Sequence, residues 1–239
     1  MVERKKKRGR ETAGDMVRSL GLVMAGVVVV FSAGNANLPV TDSYNGNALI
    51  VAATGPSGAL ASYSQRGAGV DLAAPGGDPV TPDVCAREDC VLSLFPGDRY
   101  SVAAGTSMAA PHVTAAAALV QAAKPSMTVN QTRLAIRAGA RAFPSGSNCN
   151  TQICGAGLLD ARGALDASVS SVVRVGWNDQ SASLRENDGN VSFAVSRIGD
   201  ASLAASVTVT TINGTALLGV DFSAATPSTL TWAANDAAD

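Results

Sequence analysis

Charge and aromatic side chains are both scarce in this sequence. Charged residues make up 15% of its 239 residues, against roughly 25% in an average domain, and aromatic residues make up 4%. Small side chains fill the gap, so we expect a core built from closely packed Ala, Val and Gly. The length exceeds what one average domain needs, which predicts a domain boundary within the chain.

Two further absences restrict the partners of the chain. The apolar run from Leu20 to Phe31 is shorter than the roughly 20 residues that cross a bilayer, and no other segment qualifies, so stable membrane insertion is not expected. Six of the 18 basic groups lie within residues 1–10, which leaves 12 basic and 18 of the 19 acidic groups elsewhere, a net charge of −6. Such an acidic body repels phosphate, so nucleic acid is not expected as a partner.

The first 34 residues have two interpretations. A basic start, an apolar run and the small residues of 32–34 are typical of a secretory signal peptide. Alternatively, a helix covers about residues 13–25, with Met16, Leu20 and Met24 on one face, and a buried strand covers Val27–Phe31. Four consecutive valines favour the second interpretation, because a parallel strand is covered on both faces.

Four cysteines occur in two C-x4-C pairs, Cys85/Cys90 and Cys149/Cys154. Two local disulfides are typical of an extracytoplasmic protein and predict Cα separations of about 4.4–6.8 Å. A four-cysteine zinc site and free thiols are the alternatives.

The pattern of apolar residues divides the chain into two parts. Residues 12–167 alternate short apolar strands (27–31, 48–53 and 70–73) with helices at about 106–123 and 129–138, the second capped by Thr128, which predicts an α/β domain with a mostly parallel sheet. In residues 168–239 the helical patterns end, and short β-rich runs (171–175, 191–196, 206–211 and 229–232) alternate with turns. This second part predicts an antiparallel all-β sandwich, truncated after four or five strands.

The most informative segment is G-T-S-M-A-A-P-H-V, residues 105–113. Ser107 lies at the start of a predicted helix, where unpaired N–H groups and the helix dipole favour an anion. A serine nucleophile that generates an oxyanion needs this environment. A serine at a helix start is usually only a cap, but this long motif resembles the nucleophile segment of the subtilisin-like serine peptidases, the subtilase family.

Three other blocks extend the resemblance over about residues 20–165. V-F-S-A-G-N (30–35) resembles the family's oxyanion segment, which implies that the Asn35 side chain and the Ser107 backbone N–H hold the oxyanion. Y-S-Q-R-G (63–67) with V-D-L-A-A-P-G (70–76) resembles the strand and turn before the nucleophile, and G-A-G-L-L-D-A (155–161) the end of the catalytic domain. The resemblance implies that Asn35 and Ser107 face one cleft.

The general base of such an enzyme is not found in this sequence. The single histidine, His112, lies five residues after Ser107 on one helix, about 7.5 Å farther along its axis and on a different face, so we interpret it as a packing residue. Asp42 and Asp71 are interpreted as loop and turn residues. The family's Asp and His blocks lie upstream of the matching region, so we expect a fragment of the catalytic domain that is inactive by itself.

The tail resembles a second family. S-L-R-E-N-D-G (183–189), F-A-V-S-R (193–197) and N-G-T-A-L-L-G-V-D-F (213–222) are similar to the Calx-beta module over about residues 172–239. Some such modules bind Ca²⁺ through loop carboxylates, which nominates Glu186 and Asp221. Ca²⁺ needs six to eight oxygen ligands, and these two residues supply only part of such a set.

Two functions therefore compete. The first is a secreted, bacterial serine endopeptidase that cuts proteins or peptides by acyl transfer without a cofactor, with the histidine and aspartate outside these 239 residues. The second is a non-catalytic adhesion or calcium-binding protein in which the Calx-beta-like tail does the work. An upstream reading frame that carries the Asp and His blocks would favour the first.

Overall fold

A computed structural model describes residues 26–40, 48–81, 84–178, 190–224 and 229–236. In these ranges the strands are β1 (Val30–Ser32), β2 (Leu49–Thr54), β3 (Leu72–Pro75), β4 (Val91–Phe95), β5 (Arg99–Ala103), β6 (Arg174–Trp177), β7 (Val195–Ile198), β8 (Ala205–Thr208) and β9 (Thr229–Trp232). The helices are α1 (Thr106–Ala123), α2 (Val129–Ala138) and α3 (Ala161–Val169). None of the helices described is long and apolar enough to cross a membrane.

A three-stranded parallel sheet forms the centre of the first part, in the order β1-β2-β3. All six residues of β2 are buried, as expected of a parallel strand covered on both faces. The three predicted strands are confirmed, each displaced by one to three residues toward the carboxyl end. The predicted helix at 13–25 and Asp42 lie outside the described residues.

Helix α1 packs its small apolar face onto this sheet, and both predicted helices have the predicted bounds. The shared core contains Leu49, Val51, Leu72, Ala109, Val113, Ala117 and Val120. Thr128 begins α2 with a capping box, because its side chain accepts from the Gln131 N–H and the Gln131 side chain accepts from the Thr128 N–H. The parallel sheet with flanking helices is therefore confirmed.

A buried ion pair fastens α2 to the sheet. Asp71, one residue before β3, accepts from the Ile50 N–H (2.8 Å) and from Arg137 Nη1 (3.3 Å), and both charged side chains are 6% exposed. Burial raises the pKa of Asp71, and the Arg137 guanidinium opposes that rise. The interpretation of Asp71 as a turn residue missed this pair, because its partner lies 66 residues away.

Helix α2 also contacts the first antiparallel strand pair of the tail, β6 and β7. Arg137 donates to the carbonyls of Trp177 and Asn178, and Arg133 joins the Ala48 carbonyl (3.2 Å) to the Asn178 carbonyl (3.0 Å). Strands β6 and β7 thus pack against the α/β layer.

Two antiparallel strand pairs occur among the described residues of the tail. Strand β6 pairs with β7, and β8 with β9, as two separate two-stranded sheets. A sandwich requires two sheets that bury their facing side chains against each other, whereas Ile212 and Val220 are 84% and 78% exposed. The described residues therefore show antiparallel strands close to the predicted positions but not the predicted sandwich.

Both predicted disulfides are present. Cys85 pairs with Cys90 and Cys149 with Cys154, each with a Cα separation of 5.6 Å. The zinc site and the free thiols are not what the structure shows.

Replacement of Arg137 by Met should lower the free energy of unfolding by about 3–5 kcal/mol, because Asp71 would stay buried without its ion-pair partner and with only the weaker influence of the Arg133 charge. This loss of stability should become smaller as the pH falls. The pKa of Asp71 is raised in the folded state, so protonation of Asp71 favours folding and removes the buried charge that has lost its ion-pair partner. Chemical denaturation at several pH values measures both effects.

Arg162→Met is the matched control, because Arg162 pairs with Asp166 on the surface, with side chains 81% and 56% exposed. Surface pairs contribute roughly 0–1 kcal/mol. Equal losses in the two variants would contradict the role given to Arg137.

Candidate active site

Ser107 is the second residue of α1 and is exposed at the start of the helix. Strand β5 leads into this turn, and Gly105 is the N-cap, without a capping side chain of its own. The location agrees with the predicted position of a nucleophile at a helix N-terminus.

The first four N–H groups of α1 are unequally satisfied. The Thr106 N–H donates to Asn35 Oδ1 at 2.9 Å, and the N–H groups of Met108 and Ala109 both donate to the Gly105 carbonyl, at 2.9 and 3.3 Å. The Ser107 N–H has no acceptor within the described ranges. One donor is thus left unpaired at the positive end of the helix dipole, beside the Ser107 hydroxyl.

Asn35 reaches this helix from the loop after β1. Its Oδ1 also accepts from the Thr106 hydroxyl at 2.7 Å, and that hydroxyl accepts from the Gly34 N–H at 3.1 Å. Since a backbone N–H must meet an oxygen, these contacts define the orientation of the amide and leave Nδ2 as the group that can donate elsewhere. Nδ2 has no acceptor among the residues that the structure describes.

Gly105 permits this close approach. A Cβ atom at this position would lie 3.2 Å from Asn35 Nδ2 and 3.5 Å from Met108 Sδ, and the residue has a φ of +156°. A larger residue would push the Asn35 loop and the helix apart.

His112 is occupied within its own helix. Its Nδ1 lies 2.9 Å from the Met108 carbonyl, four residues back, so Nδ1 carries the proton there. No contact joins the ring to Ser107.

The predicted calcium ligands receive no support from the described residues. Asp221 accepts from the Leu217 N–H at 2.8 Å and is exposed, whereas Glu186 lies outside the described ranges. No group of three His, Cys, Asp or Glu side chains able to hold a metal occurs among the residues described.

Thr106 is the site residue that sequence reasoning missed. It lies between Gly105 and Ser107 in the motif, but its side chain has no chemistry that marks it as functional. Its importance follows from a pairing across 71 residues of sequence, which no local pattern reveals.

Comparison with known proteins places the first part of the chain in one family. The model of the subtilase family matches residues 3–157. The "Extracellular protease" of Xanthomonas campestris pv. campestris is 36% identical over 154 residues, which cover 63% of this chain and 25% of that protein. Subtilisin BL of Lederbergia lenta is 38% identical over 142 residues, covering 58% of this chain and 46% of that protein.

A solved structure gives the same result. The structure of a protease from Pseudoalteromonas arctica superposes with a TM-score of 0.57 at 32% identity, covering 66% of this chain and 48% of that one. The chain thus spans about a quarter to a half of the length of these proteins.

Asn35→Ala should lower the free energy of unfolding by about 1 kcal/mol, because the first N–H of α1 would lose the acceptor that caps it. Asn35→Asp should cost little, since a carboxylate still accepts from Thr106 and favours a helix N-terminus. Thermal and urea denaturation of the two variants measure the difference. An Asp variant as unstable as the Ala variant would contradict the capping role.

Proposed function

The chain belongs to the subtilase family, and we propose that it carries the nucleophile and oxyanion-binding part of a serine endopeptidase. The observation that supports this most strongly is the pair of donors at the start of α1: the unpaired Ser107 N–H and the Asn35 amide, whose oxygen is held by Thr106. Together they provide the preorganised donors that acyl transfer requires.

In the proposed reaction, Ser107 Oγ attacks the carbonyl carbon of a peptide bond. The carbonyl oxygen becomes an oxyanion that accepts from Asn35 Nδ2 and the Ser107 N–H. A general base takes the serine proton and passes it to the leaving amine as the C–N bond breaks. Water then releases the acyl group from Ser107 by the same steps.

The general base is proposed to come from outside these 239 residues, because the only histidine lies five residues after Ser107 on the same helix and no contact joins its ring to Ser107. We propose that a histidine and an aspartate of the complete catalytic domain supply it. The chain alone is therefore inactive toward proteins and peptides. The two disulfides and the name of the Xanthomonas relative favour a secreted protein.

The tail is proposed to belong to an accessory β domain whose first strand pair packs against α2, since the family match ends at residue 157 and antiparallel pairs follow. Its likeness to Calx-beta modules and its use of Glu186 and Asp221 for Ca²⁺ stay predictions. Catalysis by the proposed route requires no cofactor.

Free imidazole should restore the reactivity of Ser107 toward a fluorophosphonate. The Ser107 oxygen displaces fluoride from phosphorus while imidazole takes the proton, so labelling should be negligible without imidazole and rise with its concentration. Intact-mass analysis and peptide mapping identify the labelled residue. Asn35→Ala and Asn35→Asp should each slow labelling by about 10²–10³-fold, since each loses an oxyanion donor.

Two control variants complete this experiment. Ser107→Ala should abolish labelling, and His112→Gln should leave the rate unchanged. Rapid labelling without imidazole that disappears in His112→Gln would show that the chain has its own base. A wild-type chain that imidazole never activates would contradict the proposed nucleophile.

A further inference from the structure

Tyr63 lies between the two loops that carry the proposed oxyanion donors. It is half-buried in the segment between β2 and β3, and the proposed reaction gives it no part. Its backbone contacts the loop of Asn35. Its phenol contacts the segment directly after β3, which in turn contacts the N-cap of α1.

Backbone hydrogen bonds of the Tyr63 segment position the loop that carries Asn35. The Tyr63 carbonyl accepts from the Asn37 N–H at 2.9 Å, and the Gln65 N–H donates to the Gly34 carbonyl at 2.8 Å. The residues on both sides of Asn35 are thus paired with the segment that carries Tyr63.

Hydrogen bonds of the Tyr63 phenol position the segment that supports the N-cap of α1. The Tyr63 hydroxyl shares its proton between the carbonyls of Gly76 (2.9 Å) and Gly77 (2.6 Å). The Gly76 carbonyl also accepts from the Gly105 N–H at 2.9 Å. Tyr63 therefore holds the turn on which the N-cap of α1 rests.

Close packing makes this turn sensitive to small shifts. A Cβ atom at Gly76 would lie 2.5 Å from Ala53 Cβ and 2.8 Å from the Gly105 carbonyl oxygen. Two more hydrogen bonds join the segment of Tyr63 to the segment after β3. Asp78 accepts from both the N–H and the hydroxyl of Ser62, at 3.0 and 2.8 Å.

The phenol remains a donor at every physiological pH. Burial, followed by the negative charge of Asp78, raises the pKa of Tyr63 to about 12, and the Gly105 backbone opposes this rise.

We propose that Tyr63 is a positioning residue that sets the separation between the Asn35 amide and the Ser107 N–H. This role rests on the proposed function, because it concerns the two oxyanion donors. Loss of the hydroxyl would leave the fold in place and allow Gly105 to shift relative to Asn35. Misplacement of a catalytic group by a fraction of an ångström slows a reaction without a change in binding.

The test is imidazole-activated fluorophosphonate labelling of Tyr63→Phe, with the rate measured against probe concentration. The expected result is a kinact about 10-fold lower, with KI within about twofold of the wild type, because the probe still docks but its oxygen meets displaced donors. Tyr100→Phe is the matched control, since Tyr100 is 73% exposed, and it should behave as the wild type.

A second variant, Ser62→Ala, weakens the same connection at an exposed residue and should lower kinact about two- to threefold. Amide hydrogen exchange at Gly105 should be faster in Tyr63→Phe than in the wild type, at a temperature where both are folded. An unchanged kinact in both variants, or a Tyr63→Phe effect that lies in KI, overturns the proposal. Wild-type chain that resists labelling would instead refute the proposed nucleophile.

Discussion

The contact between Asn35 and Thr106 is the interaction on which the arrangement of the site depends. One amide oxygen accepts both the first N–H of α1 and the neighbouring hydroxyl. This pairing caps the helix, connects it to the end of β1 and orients the amide nitrogen away from Thr106. It therefore pairs the first donor of the helix and leaves the next, the Ser107 N–H, without an acceptor in the described ranges, as the proposed oxyanion site requires.

The rest of the first part holds these two short segments in place. Asn35 follows the carboxyl end of β1, where ligands of open parallel sheets usually bind, and α1 lies across the same sheet with Val113 and Val120 fully buried. The ion pair of Asp71 with Arg137 fastens α2 to the sheet. Ser107, the proposed nucleophile, thus lies at the exposed end of a helix whose other face is buried against the sheet.

Sequence patterns were sufficient where the determinants are local. The runs of valine and alanine predicted β1–β3, the capping residue Thr128 predicted α2, and the C-x4-C spacing predicted both disulfides. Contacts between distant residues could not be predicted, because nothing in the sequence marks Thr106, Tyr63 or Arg137 as the partner of another segment. The tail was predicted as a sandwich from its alternation of apolar residues, yet the described strands form two separate pairs with exposed apolar residues.

The most direct test of the oxyanion site is a crystal structure of the chain with Ser107 phosphonylated in the presence of imidazole. The phosphonyl oxygen mimics the oxyanion of the tetrahedral intermediate. It should accept hydrogen bonds from Asn35 Nδ2 and from the Ser107 N–H, at about 2.7–3.1 Å, while Asn35 Oδ1 stays bonded to Thr106. A phosphonyl oxygen directed to solvent, with Asn35 turned away from it, would contradict the account.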